Sequence, residues 1–396
     1  MTVSPDAQAI LLLTAHFTRS ETAVQPLSPA EWGRLAAWLR TRSRTPAALL
    51  TDDLDVVFDG WADDKITRSR IEGLLQRGAA LALALERWSR AGLWVTTRAD
   101  ADYPVRLKRR LREIAPPVLF GCGDTGILEG RALAVVGSRR APEADLTFAR
   151  RLGERAAREG CTVVSGGAKG VDEAAMTAAL EAGGRAVGVL SAGLLRACTS
   201  RKYRDHLTAG RLLLLSPFHP EAGFRVANAM QRNKYIYCLA DAAVVVHSGT
   251  KGGTWSGARE NLSRGWVPLW VKRTDDAEAG NAALVAGGAR WLPEEPDGKL
   301  SALFSVTDGS VDGSETPPET LEFYDLFLAK VRHLCRDAPR SRAELAETLK
   351  LQKSQLDVWL RQAEREGKLE KLTRPVRYRW RHPRQESLFE PSDTPS

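Results

Sequence analysis

Four short loops carry the residues best suited to chemistry, and the chemistry they suit is the binding of phosphate. Each follows an apolar run. Gly137-Ser138-Arg139-Arg140 follows Ala132 to Val136, and Ser165-Gly166-Gly167-Ala168-Lys169-Gly170-Val171-Asp172 follows Thr162 to Val164. Ser191-Ala192-Gly193 follows Ala186 to Leu190, and His247-Ser248-Gly249-Thr250-Lys251-Gly252-Gly253-Thr254 follows Ala242 to Val246. Glycine lets a backbone approach a ligand closely, and a helix that starts just after such a loop offers free N–H groups to an anion. Arginine and lysine neutralise the charge. One such loop is explained by a tight connection, but four in series with basic residues point to a phosphate-binding cleft. Ser138, Arg139, Gly166, Gly167, Lys169, Gly170 and Lys251 are the candidates. Asp172, at a helix start, fits a capping or loop-orienting role.

Other chemistries lack their residues. No GxGxxG opens a helix after the first run and no GxxxxGK[ST] occurs, which disfavours dinucleotide binding and P-loop NTPase activity. No Ser-His-Asp set or metal-ligand cluster is visible, so neither turnover nor a cofactor is expected. Gly252-Gly253-Thr254 with Glu260 echoes a phosphoribohydrolase loop without its proline or its spacing. That echo leaves one alternative open: a nucleotide-binding sensor or nucleotide-hydrolysing enzyme, a role in defence against foreign DNA included. The five cysteines are odd in number, and no two stand at a CxxC spacing. This argues against a disulfide framework or a zinc site and suits a reducing compartment, with Cys161 in the core. No apolar run approaches the roughly 20 residues of a spanning helix, so a cytoplasmic protein without membrane contact is expected.

The elements that must position these loops follow from periodicity. Residues 1–105 look helical, with apolar residues at helical spacing in Glu31 to Leu39 and in Ile71 to Trp88, and with Ser28 as an N-cap. In 106–297, short apolar runs alternate with helical segments. Besides the four above, Leu212 to Leu215 and Val267 to Val271 are strand-like. Continuous apolar strands separated by helices predict a Rossmann-like, mostly parallel sheet of the α/β class, whose ligands bind beyond the carboxyl ends of the strands. Residues 298–318 read as a linker, 319–384 as a basic module and 385–396 as a disordered tail.

At these residues the chain resembles the DprA/Smf family of DNA-processing proteins. The pattern runs through Val136-Gly137-Ser138-Arg139, Ser165 to Asp172, Leu190-Ser191-Ala192-Gly193-Leu194, Phe224 followed by Arg232-Asn233-Lys234, and Gly249 to Thr254. Asp102-Tyr103-Pro104, Pro117 to Phe120 and Gly280 to Val285 with Gly288-Ala289 extend it over about 100–292. Met176, Arg196 to Thr199 and Lys272-Arg273 depart from it, which marks a divergent member. The resemblance implies single-stranded DNA binding and protection, and help in loading a RecA-type recombinase during DNA uptake. It implies a groove lined by Arg139, Lys169, Arg232, Asn233 and Lys234, and a homodimer is expected.

The formal net charge is +8. Leu321 to Arg384 holds 16 Lys/Arg against 9 Asp/Glu, a net of +7, so most of the excess lies in this module. Arg342 to Leu349 and Lys353 to Glu366 read as helices, and a hairpin follows around Pro375. That order is winged-helix grammar. It would contact duplex or single-stranded DNA through Lys353, Arg361, Arg377 and Arg379, or serve protein–protein contact instead. Gln385, Leu388 and Phe389 in the tail resemble a peptide that docks on the DNA polymerase sliding clamp.

Overall fold

Alternate residues of each apolar run face opposite ways, which buries the central sheet on both sides. In the computed structural model, Leu133 and Val135 of β3 (Ala132–Val136) enter one core, and Ala132, Ala134 and Val136 enter the other. In β6 (Leu212–Ser216), Leu212 and Leu214 separate in the same way from Leu213 and Leu215. The structure describes residues 3–17, 24–276, 278–293 and 299–304. Toward the C-terminus it describes 327–328, 331–332, 334–335, 338–349, 353–365, 368–373 and 376–380.

Seven further strands complete the sheet: β1 (Trp94–Thr97), β2 (Val118–Cys122), β4 (Thr162–Ser165), β5 (Ala186–Val189), β7 (Ala242–Val245), β8 (Leu269–Val271) and β9 (Arg290–Trp291). The spatial order is β1-β2-β6-β5-β4-β3-β7-β8-β9. From β6 through β9 every pairing is parallel, while β1 and β2 add an antiparallel edge. From β3 the chain winds outward through β4, β5 and β6, then returns to place β7 on the other side of β3. The loops after β3 and β7 therefore diverge at a topological switch point, where an open α/β sheet leaves a crevice.

The six strands expected in 106–297 are present. β1, β2 and β9 were not expected: β1 lies inside the segment read as helical, and β2 falls where Pro117 to Phe120 read only as the approach to the first strand. The periodic run Ile71 to Trp88 is two helices, Arg68–Leu75 and Gly78–Arg90. Arg77 separates them, its guanidinium donating to the carbonyls of Leu74 (3.2 Å) and Ala15 (3.1 Å). The N-terminal helices share one core with the sheet: Leu11, Leu35, Leu74 and Trp88 join the cluster that holds Leu133 and Val163. Residues 1–307 accordingly form one compact unit, and 308–396 form a second. Within the segment read as a linker from 298, residues 299–304 are described and pack on the first unit. Leu300 and Leu303 are buried, and the Trp270 indole donates to the Leu303 carbonyl at 3.0 Å. Residues 305–318 lie outside the described set.

The Pro29–Thr41 helix starts with a reciprocal capping box between Ser28 and Glu31. The Arg70 guanidinium, 2.9 Å from Glu31, and then the Ser28 backbone N–H hold this carboxyl down at about 2, against an ordinary 4.5. A carboxylate with a depressed folded-state value stabilises above its unfolded value, and that contribution fades as pH falls toward about 2. Glu31→Gln should lower the melting temperature at neutral pH and leave it close to the native value near pH 2. Melting curves across that range check this.

The second unit contains helices Arg342–Leu349 and Lys353–Arg365, then an antiparallel hairpin of Leu369–Thr373 with Val376–Trp380. A small core that includes Phe327, Val331, Leu345, Leu360 and Tyr378 holds it together.

Candidate nucleic-acid interface

Three loops at the switch point are laced together by their backbones. The Ser138 N–H donates to the His247 carbonyl (2.8 Å), and the Thr254 hydroxyl to the Gly137 carbonyl (3.0 Å). Gly170 has φ +90°, and a Cβ there would stand 2.5 Å from the Ser138 carbonyl oxygen, so only glycine brings these loops together. Asp172, in the first turn of the Val171–Glu181 helix and 6% exposed, accepts from the N–H groups of Gly166 (3.1 Å) and Gly137 (3.4 Å). Burial pushes its carboxyl upward, opposed by Arg232 and by those N–H donors. The loop-orienting role expected for Asp172 is the one its bonds describe.

Arg232, Asn233 and Lys234 are consecutive on the Val226–Leu239 helix, so their side chains leave it about 100° apart and cannot share one face. Arg232 points inward beneath the loops, yet it lines the cleft between them and the depression beside it. It is 4% exposed, donates to the Val189 carbonyl, and leaves its buried Nε unpartnered. Burial lowers its affinity for a proton, the Asp172 charge opposes this, and Arg139 adds to it. A Cβ on Gly166 would meet the Arg232 guanidinium at 1.9 Å, so Gly166 serves this packing. Asn233 reaches the rim and donates to the Gly253 carbonyl (2.8 Å). Lys234 turns away, its ammonium 5.3 Å from the Tyr235 ring. Burial shifts it down, and Glu260 opposes that shift.

Arg139, Arg140, Lys169 and Lys251 remain exposed around an open groove of about 630 Å³ and the depression that adjoins it. Gly166, Gly167 and Ala168 form part of that depression's floor. The signal that sequence reading left without a role is apolar. Phe224, Val226 and Met230 are 56%, 69% and 36% exposed, and all line the groove. The Arg139 guanidinium lies 5.2 Å from the centre of the Phe224 ring. Phe224 stands in the motif quoted above, and its place after Gly223 in a proline- and glycine-bearing loop was the available clue. Glu260, part of the phosphoribohydrolase echo, does not line the groove.

Behind the groove, the His247 ring lies 2.8 Å from Asp145 and 3.5 Å from Asp276, and Lys272 donates to Asp145 at 2.7 Å. Asp145 sits in the first turn of the Glu143–Arg158 helix, so the cluster anchors the segment that carries Arg139 and Arg140. Asp145 lies more than 100 positions before its partners His247 and Lys272, too far for sequence spacing to reveal. In the second unit, Arg361, Arg377 and Arg379 are exposed. The side chain of Lys353 and the tail residues Gln385, Leu388 and Phe389 lie outside the described set. Among the described residues, no helix is long and apolar enough to cross a membrane.

The family described as DNA recombination-mediator protein A matches residues 94–302, more than half of the chain and the stretch that builds the sheet and the groove. The chain belongs to this family. The DNA processing protein DprA of Bacillus subtilis is 29% identical over 222 residues, covering 54% of this chain and 74% of that protein. Protein Smf of Escherichia coli is 33% identical over 155 residues, covering 38% of this chain and 41% of the other. The crystal structure of DNA processing protein A from Streptococcus pneumoniae superposes with a TM-score of 0.55 at 18% identity, over 74% of this chain and 95% of that one. As a member of the recombination-mediator family, the chain shares its fold with that structure, and residues 94–302 include the sheet and the switch-point loops.

Proposed function

We propose that this protein binds single-stranded DNA in the switch-point groove and acts on it as a recombination mediator, without chemical turnover. The observation that carries the reading is Arg139 held over the exposed ring of Phe224, with Arg140, Lys169 and Lys251 around it. A base presents a π-face for stacking only when its neighbours in a duplex do not cover it. An exposed aromatic among cations therefore favours an unpaired strand, while Lys and Arg neutralise its phosphates. Membership in the family supports the mediator role. The delivery of the bound strand to a RecA-type recombinase, and a homodimeric state, rest on the resemblance. Contact of DNA by the second unit through Lys353, Arg361, Arg377 and Arg379 rests on residue type, as does docking of Gln385, Leu388 and Phe389 on a sliding clamp. Phe224→Ala tests the reading. Losing one stacked base costs about 1–3 kcal/mol, so affinity for a single strand should fall roughly 5- to 150-fold. The salt dependence should stay unchanged, because no phosphate contact is lost. Fluorescence titrations across a salt series measure both, and native affinity in the variant would contradict the reading.

A further inference from the structure

The groove does not end at Phe224. Ala192 and Phe224 also line a further depression that runs over the short helices Leu194–Cys198 and Arg201–Thr208. Leu195, Pro220 and Tyr203 give it apolar walls, and Arg196 and Lys202 stand exposed at its rim. Lys202 lies over the Tyr203 ring at 5.1 Å, so a cation meets an aromatic here as Arg139 meets Phe224. The solvent-exposed ion pair of Lys202 with Glu173 is of the weak kind that a phosphate displaces. Glu221 also lines this depression and is paired with Arg87 at 3.0 Å. Arg201 and Arg204, exposed on the same helix, add positive charge beside it.

We infer that the strand held at Arg139 and Phe224 continues across Leu194–Cys198 and Arg201–Thr208, where Arg196 and Lys202 take its phosphates and Tyr203 and Leu195 support its bases. The inference rests on the proposed reading of the groove and sets the length of strand one molecule covers. The apolar walls and cationic rim repeat the chemistry of the groove, and the shared Phe224 makes the two surfaces continuous. An acidic or apolar protein segment would not need that continuity.

The test uses the full chain with oligothymidylates of about 5 and about 15 nucleotides, spanning the usual site sizes of single-strand binding folds. Arg196→Ala/Lys202→Ala should lower affinity for the longer strand roughly tenfold, and its logarithmic salt slope by about 1.4, at about 0.7 per phosphate contact. Affinity for the shorter strand should stay within about twofold, because the central groove alone suffices for a site near the lower limit. If the double variant binds the longer strand with native affinity and slope, while Arg139→Glu weakens both strands, the extension is wrong and the groove stands. If the native chain binds neither strand, the reading and the extension fall together.

Discussion

Reversing Arg139, Lys169 and Lys251 to glutamate should reduce affinity for a single-stranded oligonucleotide by on the order of a thousandfold or more, at about 1.5 kcal/mol or more per charge-assisted phosphate bond. All three are exposed at the carboxyl ends of β3, β4 and β7, and none is buried in the fold, so folding should survive. Lys234→Glu is the internal control. The Lys234 side chain leaves the helix away from the groove, toward Tyr235 and Glu260, so its reversal should leave binding within a few-fold of native. Fluorescence anisotropy on the native chain, the triple variant and Lys234→Glu, with circular dichroism to verify folding, gives the result. Equal loss in the triple variant and in Lys234→Glu would mean that net charge acts, not the groove.

Asp172→Ala should destabilise the first unit by about 3–5 kcal/mol, the range for leaving a buried charge uncompensated. The N–H groups of Gly137 and Gly166 would lose their acceptor, and Arg232 would keep its charge with the opposing carboxylate gone. The loops that carry Arg139 and Lys169 would loosen together, so DNA affinity should fall although Asp172 itself is buried beneath them. Adding Arg232→Met should restore part of the stability, because the orphaned charge is then removed. Denaturant titrations of the single and double variants measure this. An additive double variant would mean that the two residues do not act on each other.

The sheet was legible in the sequence because strands buried on both faces must be apolar throughout. Ala132 to Val136 and Ala242 to Val246 could hardly be anything else. β1 was harder to see. Trp94-Val95-Thr96-Thr97 has strand propensity, but it is short, it follows a helix, and the residues it pairs with lie 21 or more positions away. Its role depends on Trp94 lying across Gly121, a contact that spacing does not encode. The groove was half legible. Its glycines and cations stand in the loops that sequence reading marked. The direction each side chain takes from the Val226–Leu239 helix came only with the fold: it set Arg232 beneath the groove, within its lining, and sent Lys234 away. The apolar floor went unread because an exposed phenylalanine and an exposed valine look like core residues until the surface is known.

The central claim is that this groove selects an unpaired strand. The most direct measurement is the affinity of the full chain for one oligonucleotide, single-stranded and annealed to its complement, across a salt series. Single-strand binding at physiological salt should be at least about tenfold tighter, the advantage of one stacked base, with a logarithmic slope near −0.7 per contacted phosphate. Equal or tighter binding of the duplex by this protein would contradict the account.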